Sequence, residues 1–196
     1  MSKVVIERLD GAALKAAIPD LARLRIAVFA AFPYLYSGEE AYERDYLHEF
    51  AAEPGSVLIA ASAGGAIVGA ATASPMVGQK QEFRAPIEAA GYPASDVFYF
   101  GESVLLPEYR GSGIGHAFFD ARELAARKAG ARWACFCAVV RPDDHPRRPA
   151  GYRMLDGFWR ARGYAPLSGV TTRFAWAEQA GAAEIEHTMQ FWMGRL

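Results

Sequence analysis

Between Pro107 and Gly130 the sequence reads PEYRGSGIGHAFFDARELAARKAG. Arg110 is followed by Gly111, Gly113 and Gly115, and the residues after them have helical spacing. Glycine is a poor helix former, so three at a helix start need a reason. A helix start leaves about four backbone N–H groups without intrahelical partners, and the helix dipole adds partial positive charge there. Together these make an anion site, with phosphate the common guest. Glycines let a ligand approach the backbone and tolerate unusual dihedrals. An arginine adds a fork of donors suited to phosphate. The residues describe a pyrophosphate cradle. A plain glycine turn capping a helix is the alternative, and the coincidence of arginine, three glycines and a strand-to-helix context weighs against it.

Other motifs fit less well. G-x-x-x-x-G-K-[ST] is absent, which argues against a P-loop. G-x-G-x-x-G fails because the sixth residue is His116 counted from Gly111 and Phe118 counted from Gly113. GESVL nearly matches the G-x-S-x-G nucleophile elbow, but Leu105 stands at the last glycine, so a Ser103 hydrolase is disfavoured. Cys135 and Cys137 are spaced C-x-C on one face of a strand, a poor disulfide pair and not a zinc or redox spacing. Asp143, Asp144 and His145 are consecutive and unsuited to converge on one ion. No metal is expected. A different phosphate ligand, ATP or NAD, stays open as a competitor for the loop.

The elements that position these residues belong to a chain of 196 residues, the size of one domain, here taken as 1–196. With 52% hydrophobic and 22% charged residues, a folded core is expected. The 21 basic and 22 acidic residues leave a net charge of −1, and nothing calls for a nucleic-acid or membrane partner. MSKVVIERLDG carries no apolar stretch of signal length, and the run Ile26 to Phe32 is too short to span a bilayer. With its cysteines read as buried and free, a cytoplasmic protein is expected.

Periodicity predicts strands at Val4–Leu9, Val57–Ala61, Ile67–Ala73, Val97–Leu106, Trp133–Val140, Thr171–Ala177 and Thr188–Met193. Helices are predicted at Ala12–Phe32, interrupted near Pro19, at Glu39 to about Phe50 with Ser37 as a cap, near Ala85–Ala90, at Gly113–Ala129 and at Ala150–Arg162. Gly64-Gly65 signals a hairpin. The unit from 97 to 140 should be a right-handed parallel crossover, with antiparallel hairpins on either side. The fold class is α/β of the α+β type: a mixed, mostly antiparallel central sheet with helices on both faces.

R-G-S-G-I-G fits the [Q/R]-x-x-G-x-[G/A] signature of the GNAT acyltransferase superfamily, and the resemblance extends to ESVLLPEY before it and FWRARGY (Phe158–Tyr164) after it. The order of elements is similar over nearly the whole chain. The resemblance implies a sheet that splays after the fourth strand, with the pantetheine arm of acetyl-CoA entering the gap. It implies that Arg110, Gly111, Ser112, Gly113, Ile114 and Gly115 bind pyrophosphate, with His116 beside them. It also implies that the backbone of Leu105 and Leu106 holds pantetheine.

The implied reaction is direct acetyl transfer to a primary amine of a small molecule or peptide. An ammonium has no lone pair, so a base must remove its proton. Glu102 is the candidate, read by strand alternation as sharing a face with Phe98, Phe100 and Val104, where desolvation would raise its pKa. Family members often supply a tyrosine acid at the position held here by Trp159, which is no acid; Tyr152 is the substitute candidate. Tyr34 and Tyr36, between the first two helices, are acceptor-pocket candidates. Arg147, with Arg148, is a candidate for an acidic substrate or the CoA 3′-phosphate. Trp159 also supports the alternative of a non-catalytic acyl-CoA-binding or sensing protein. Phe174, Trp176, Phe191 and Trp192 read as core; exposed there, they would allow a homodimer.

Overall fold

Gly64 and Gly65 take φ values of +59° and +84°, which glycine adopts without a side-chain penalty. They turn the chain between two apolar strands, as the hairpin signal predicts. The computed structural model describes residues 3–196. The chain runs β1 (Val4–Leu9), α1 (Gly11–Phe29), α2 (Glu40–Ala52), β2 (Val57–Ala63), β3 (Ala66–Pro75), α3 (Gln81–Ala89), β4 (Val97–Leu105), α4 (Ile114–Lys128), β5 (Trp133–Val139), α5 (Asp156–Ala161), β6 (Ala165–Trp176) and β7 (Ile185–Arg195). A single sheet has the order β1-β2-β3-β4-β5-β7-β6. Every neighbouring pair is antiparallel except β4 and β5. That parallel pair joins only Val97–Tyr99 to Trp133–Cys135, and beyond Tyr99 the strands part. The expected splay is present.

Helices cover both faces. On one, α4 brings Ile114, Phe118, Phe119 and Ala126 onto Val57, Ile59, Ala71, Phe98, Phe100 and Phe136, with Phe158 and Trp159 of α5 packed alongside. On the other, Leu14, Ile18, Leu21 and Leu24 of α1 and Leu47 of α2 meet Leu58, Ala70 and Val104. The α3 residue Ile87 closes the same face with Tyr99, Cys137, Met189 and Phe191. No helix among the described residues is long and apolar enough to cross a membrane.

Several boundaries differ from the periodicity. α1 continues through Pro19 and ends at Phe29. Pro19 sits on the half-exposed side of that helix, where water can take up the carbonyl that its missing N–H leaves free. Ser37 does not cap α2: its N–H bonds Ala177 O at 2.9 Å. The last helix spans only Asp156–Ala161, because Pro149 and Gly151, at φ +76°, hold the preceding residues in turns. Tyr152 therefore stands outside any helix. Trp176, Phe191 and Trp192 are buried core, and Phe174 packs on Phe83 with centroids 4.7 Å apart, so the terminal strands present no aromatic stripe.

Candidate active site

Residues 107–116 form a 3-10 turn, Pro107–Tyr109, a glycine link and the start of α4. Gly111 and Gly113 have φ +76° and +86°, and a Cβ at either would meet nothing within 4 Å. Backbone conformation and open space before the loop, not packing, call for glycine there. Gly113 is the residue before α4, and no side chain caps that helix end. The Ser112 hydroxyl turns away and donates to Tyr109 O at 2.5 Å. No acidic residue lies in the first turn. The opening amides of α4 thus face an exposed, glycine-walled space. A Cβ on Gly115 would reach Phe158 Cζ at 3.6 Å, ordinary contact.

Arg110 is exposed, and its Nε donates to Leu105 O at 3.2 Å. Leu106 N donates to Val68 O at 3.0 Å, and Leu106 O accepts from Tyr109 N at 3.1 Å. Three of the backbone groups of Leu105 and Leu106 therefore have internal partners. His116 lies in the first turn of α4, its Nδ1 3.3 Å from Arg162 Nη1 and its ring edge-on to Phe158.

Glu102 is not on the face that simple alternation gives it. Ala71 pairs with Ser103, but Ala73 pairs with Phe100, so Gly101 and Glu102 stand opposite Thr72 alone. This bulge reverses the alternation of β4. Phe98 and Phe100 face α4, while Val104 faces α1 and α2. The Glu102 carboxylate goes with Val104, and its surround is an ion pair rather than aromatic rings. Arg25 Nη1 lies 2.7 Å from Glu102 Oε2, and the Tyr46 hydroxyl donates to the same oxygen at 3.4 Å. Arg25 Nε also pairs with Glu43, which is fully buried and accepts from the Tyr36 hydroxyl at 2.6 Å. Burial opposes charge on Arg25, but Glu102, Tyr46 and Glu43 outweigh it and hold the guanidinium well above its usual pKa. The charge of Glu102, with burial, pushes Tyr46 up as well. Glu102 Oε1 has no hydrogen-bond partner among the described residues, and the side chain keeps 8% exposure, which leaves that oxygen for a water or an amine.

The structure links Tyr36 to Glu102 through Glu43 and Arg25. Tyr34 is placed beside them by backbone rather than by its hydroxyl: Tyr34 O accepts from Arg141 Nη2 at 2.9 Å and from Trp176 Nε1 at 3.0 Å. Burial raises both tyrosines, Glu43 adding to the effect on Tyr36. Arg147 pairs with Glu178, so its charge already has a partner. Tyr152 packs edge-on against Phe32 with centroids 4.7 Å apart, and Arg148 lies over its ring. Burial raises its pKa, against the pull of Arg148 and Arg110. Trp159 packs on Phe136 and Trp192 at 5.0 and 4.9 Å.

Arg25, Glu43, Tyr46 and Arg122 are the residues the sequence reading missed. The three charged ones had a signal, and Tyr46 had none. Arg25 follows Leu21 by four, Glu43 precedes Leu47 by four, and Arg122 follows Phe118 by four, so each charge stands on an apolar stripe.

The profile of the acetyltransferase (GNAT) family matches residues 22–150. No curated protein matches the sequence. Among solved structures, a ribosomal-protein-alanine N-acetyltransferase from Brucella melitensis superposes with a TM-score of 0.62 at 15% identity, over 98% of this chain and 99% of that one. An N-acetyltransferase from Staphylococcus aureus Mu50 gives 0.62 at 12% identity over 99% of both chains. The Salmonella typhimurium protein yncA, solved with its cofactor acetyl-CoA, gives 0.62 at 12% identity over 98% of this chain and 94% of that one. At these identities the likeness is one of fold.

Proposed function

The chain belongs to the acetyltransferase (GNAT) family, whose acyl donor is acetyl-CoA, and from that premise we propose that it acetylates a primary amine of a small molecule or peptide, in the cytoplasm. The observation that carries the reading is a juxtaposition. The uncapped, glycine-walled start of α4 follows directly on β4 where that strand has left β5, and Glu102 stands in the same stretch of β4. Gly111, Gly113 and the opening amides of α4 bind the pyrophosphate, with Arg110 as a mobile donor. The donor supplies an activated thioester. Glu102 takes the proton from the acceptor ammonium at Oε1, directly or through water. Tyr36, Tyr34 and Tyr46 border the acceptor. Tyr152 keeps its proton at neutral pH and is the candidate donor to the departing thiolate.

Direct transfer is favoured over an acyl-cysteine route. Both thiols are buried, and burial pushes Cys137 up to about 12. A thiolate is the nucleophile, and at neutral pH neither cysteine supplies one. A non-catalytic acyl-CoA-binding role is the second reading, favoured by Trp159 packing half-buried against the core and by the ion pair on Glu102.

The test is calorimetric titration of acetyl-CoA into the wild type, an Arg110→Ala/Gly113→Val variant and Glu102→Gln, with thiol release over a panel of amines. The expected result is micromolar binding in the wild type and Glu102→Gln, and loss in a still-folded loop variant. Turnover in Glu102→Gln should fall about 10²-fold or more at pH 7. Equal turnover would remove Glu102 as base; binding without turnover of any amine would favour the second reading.

A further inference from the structure

The largest of the fully buried side chains is a cation. Arg122 of α4 is 2% exposed, and no carboxylate lies within ion-pair distance of it among the described residues. Its Nε donates to Phe118 O at 3.2 Å, one helical turn back. Its Nη1 reaches Thr72 O at 3.4 Å and Glu102 O at 3.5 Å. Those are the carbonyls on the two sides of the β4 bulge. The guanidinium lies over the rings of Phe100 and Phe119 at 4.5 and 4.8 Å. Burying an unpaired charge is costly, so a counter-charge is required.

The carboxylate across the sheet, Glu102, acts on Arg122, and so does Glu123 of α4. On the α1 face, Glu43 and Glu102 share the single guanidinium of Arg25. On the α4 face, Asp120 and Glu123 both pair with Arg162, and Arg122 pairs with neither. The strand between the two faces is β4 at its bulge, and Arg122 bonds the backbone of the residue whose carboxylate points the other way. Burial lowers the Arg122 pKa to about 10, against the upward pull of Tyr164, Glu102 and Glu123.

We propose that Arg122 is a positioning residue for the transfer reaction: through the carbonyls of the bulge it fixes Glu102, and across the strand it supplies the second counter-charge for the Glu43–Arg25–Glu102 group. This rests on the reading of Glu102 as base. The charged and titratable groups around that carboxylate are Arg25 from α1, Glu43 and Tyr46 from α2, Tyr34 from the loop between them, and Arg122 from α4. Removing Arg122 takes away that cation together with its bonds to the carbonyls of the bulge.

The experiment uses Arg122→Met, Arg122→Lys, Glu102→Gln and Arg122→Met/Glu102→Gln. Urea unfolding tests the charge coupling without any acceptor. The unfolding constant of the double variant should be at least about fivefold smaller than the product of the single effects. Additive effects would leave Arg122 a packing residue and overturn the proposal. The pH profile of thiol release, with the amine that the wild type turns over fastest, tests positioning. Its acid limb should move up by about one pH unit in Arg122→Met and stay in place in Arg122→Lys, which keeps the charge and lowers kcat. An unmoved limb in Arg122→Met would also overturn the proposal. If Arg122→Met does not fold, the Lys variant decides: a limb that moves in Arg122→Lys, where the charge is retained, rejects the electrostatic role. Full turnover in Glu102→Gln beside an intact urea coupling would instead reject the base reading alone.

Discussion

At the scale of single residues, the site is organised by charges placed where apolar residues are expected. Glu43 is the most exposed to mutation because it has no exposure to water. Its partners are Arg25 and the Tyr36 hydroxyl. Removing one member of a buried ion pair leaves an uncompensated charge and costs about 3–5 kcal/mol. Arg25→Met should therefore destabilise the protein by about that amount in urea unfolding. The double variant Arg25→Met/Glu43→Gln should recover the part of it that Glu43 causes, while Glu102 still lacks its cation. Equal losses in the single and double variants would mean that Arg25 contributes through Glu102 and its packing on Phe29 and Tyr46, not through its pairing with Glu43. The glycine loop and the uncapped helix start were legible in the sequence because they are local: R-G-S-G-I-G carries the dihedrals and the free amides within six residues. Glu102 was legible as a candidate but not in its surroundings. Its face is set by a two-against-one mismatch with Thr72, and a mismatch between strands cannot be seen in either strand alone.

At the scale of elements, the question is what holds the α1–α2 loop against the sheet. Arg141, just past β5, donates to Pro33 O at 2.7 Å and Tyr34 O at 2.9 Å and pairs with Glu178 Oε1 at 2.8 Å. Trp176 at the end of β6 donates to Tyr34 O, and His187 of β7 stacks on that indole with centroids 3.7 Å apart. Two pKa shifts make this clamp sensitive to acid. Burial works against the Glu178 carboxylate, but Arg141, Arg147 and His187 together hold it below the usual range. Burial and Arg141 hold His187 below its usual value. Both depressed groups stabilise the folded state above their unfolded pKa values, about 6.5 for histidine and 4.5 for glutamate, and lose that contribution as pH falls. The melting temperature should be flat from pH 8 to 7 and decline below about 6.5, with Trp176 fluorescence changing first. His187→Phe keeps a ring on Trp176 and should remove the upper part of the decline; an unchanged profile in that variant would locate the titration elsewhere. None of this was legible beforehand, because Arg141 and Glu178 are far apart in sequence and only the fold brings them together. The truncated last helix was missed for a related reason: the apolar spacing over 150–162 satisfies a helix, while Pro149 and Gly151 decide for turns.

At the scale of the whole molecule, the fold buries several weak acids that keep their protons. Burial pushes Cys137 up to about 12, partly offset by the Tyr99 hydroxyl, and lifts Cys135 well above its ordinary value. Tyr99, Tyr34 and Tyr164 are raised chiefly by burial, and Tyr46 chiefly by the charge of Glu102. These groups lie on both faces, on β4, β5 and α2, in the α1–α2 loop and just before β6, so they report on the molecule and not on one element. In the unfolded chain the thiols ionise near 9 and the phenols near 10; in the folded chain they keep their protons beyond that. Between pH 9 and about 12 the folded state therefore binds more protons than the unfolded state. Linkage then makes stability fall as pH rises through that window. We propose that residues 1–196 unfold as one cooperative unit, so the loss should appear as one transition whose midpoint drops steadily from pH 8.5 to 11, seen alike by far-ultraviolet dichroism and by tryptophan fluorescence. Below the transition both thiols should resist a disulfide reagent that labels them at once in urea. Thiols that label ahead of the loss of secondary structure would show that the buried acids reach solvent in the folded state, and two separated transitions would divide the chain into independent parts.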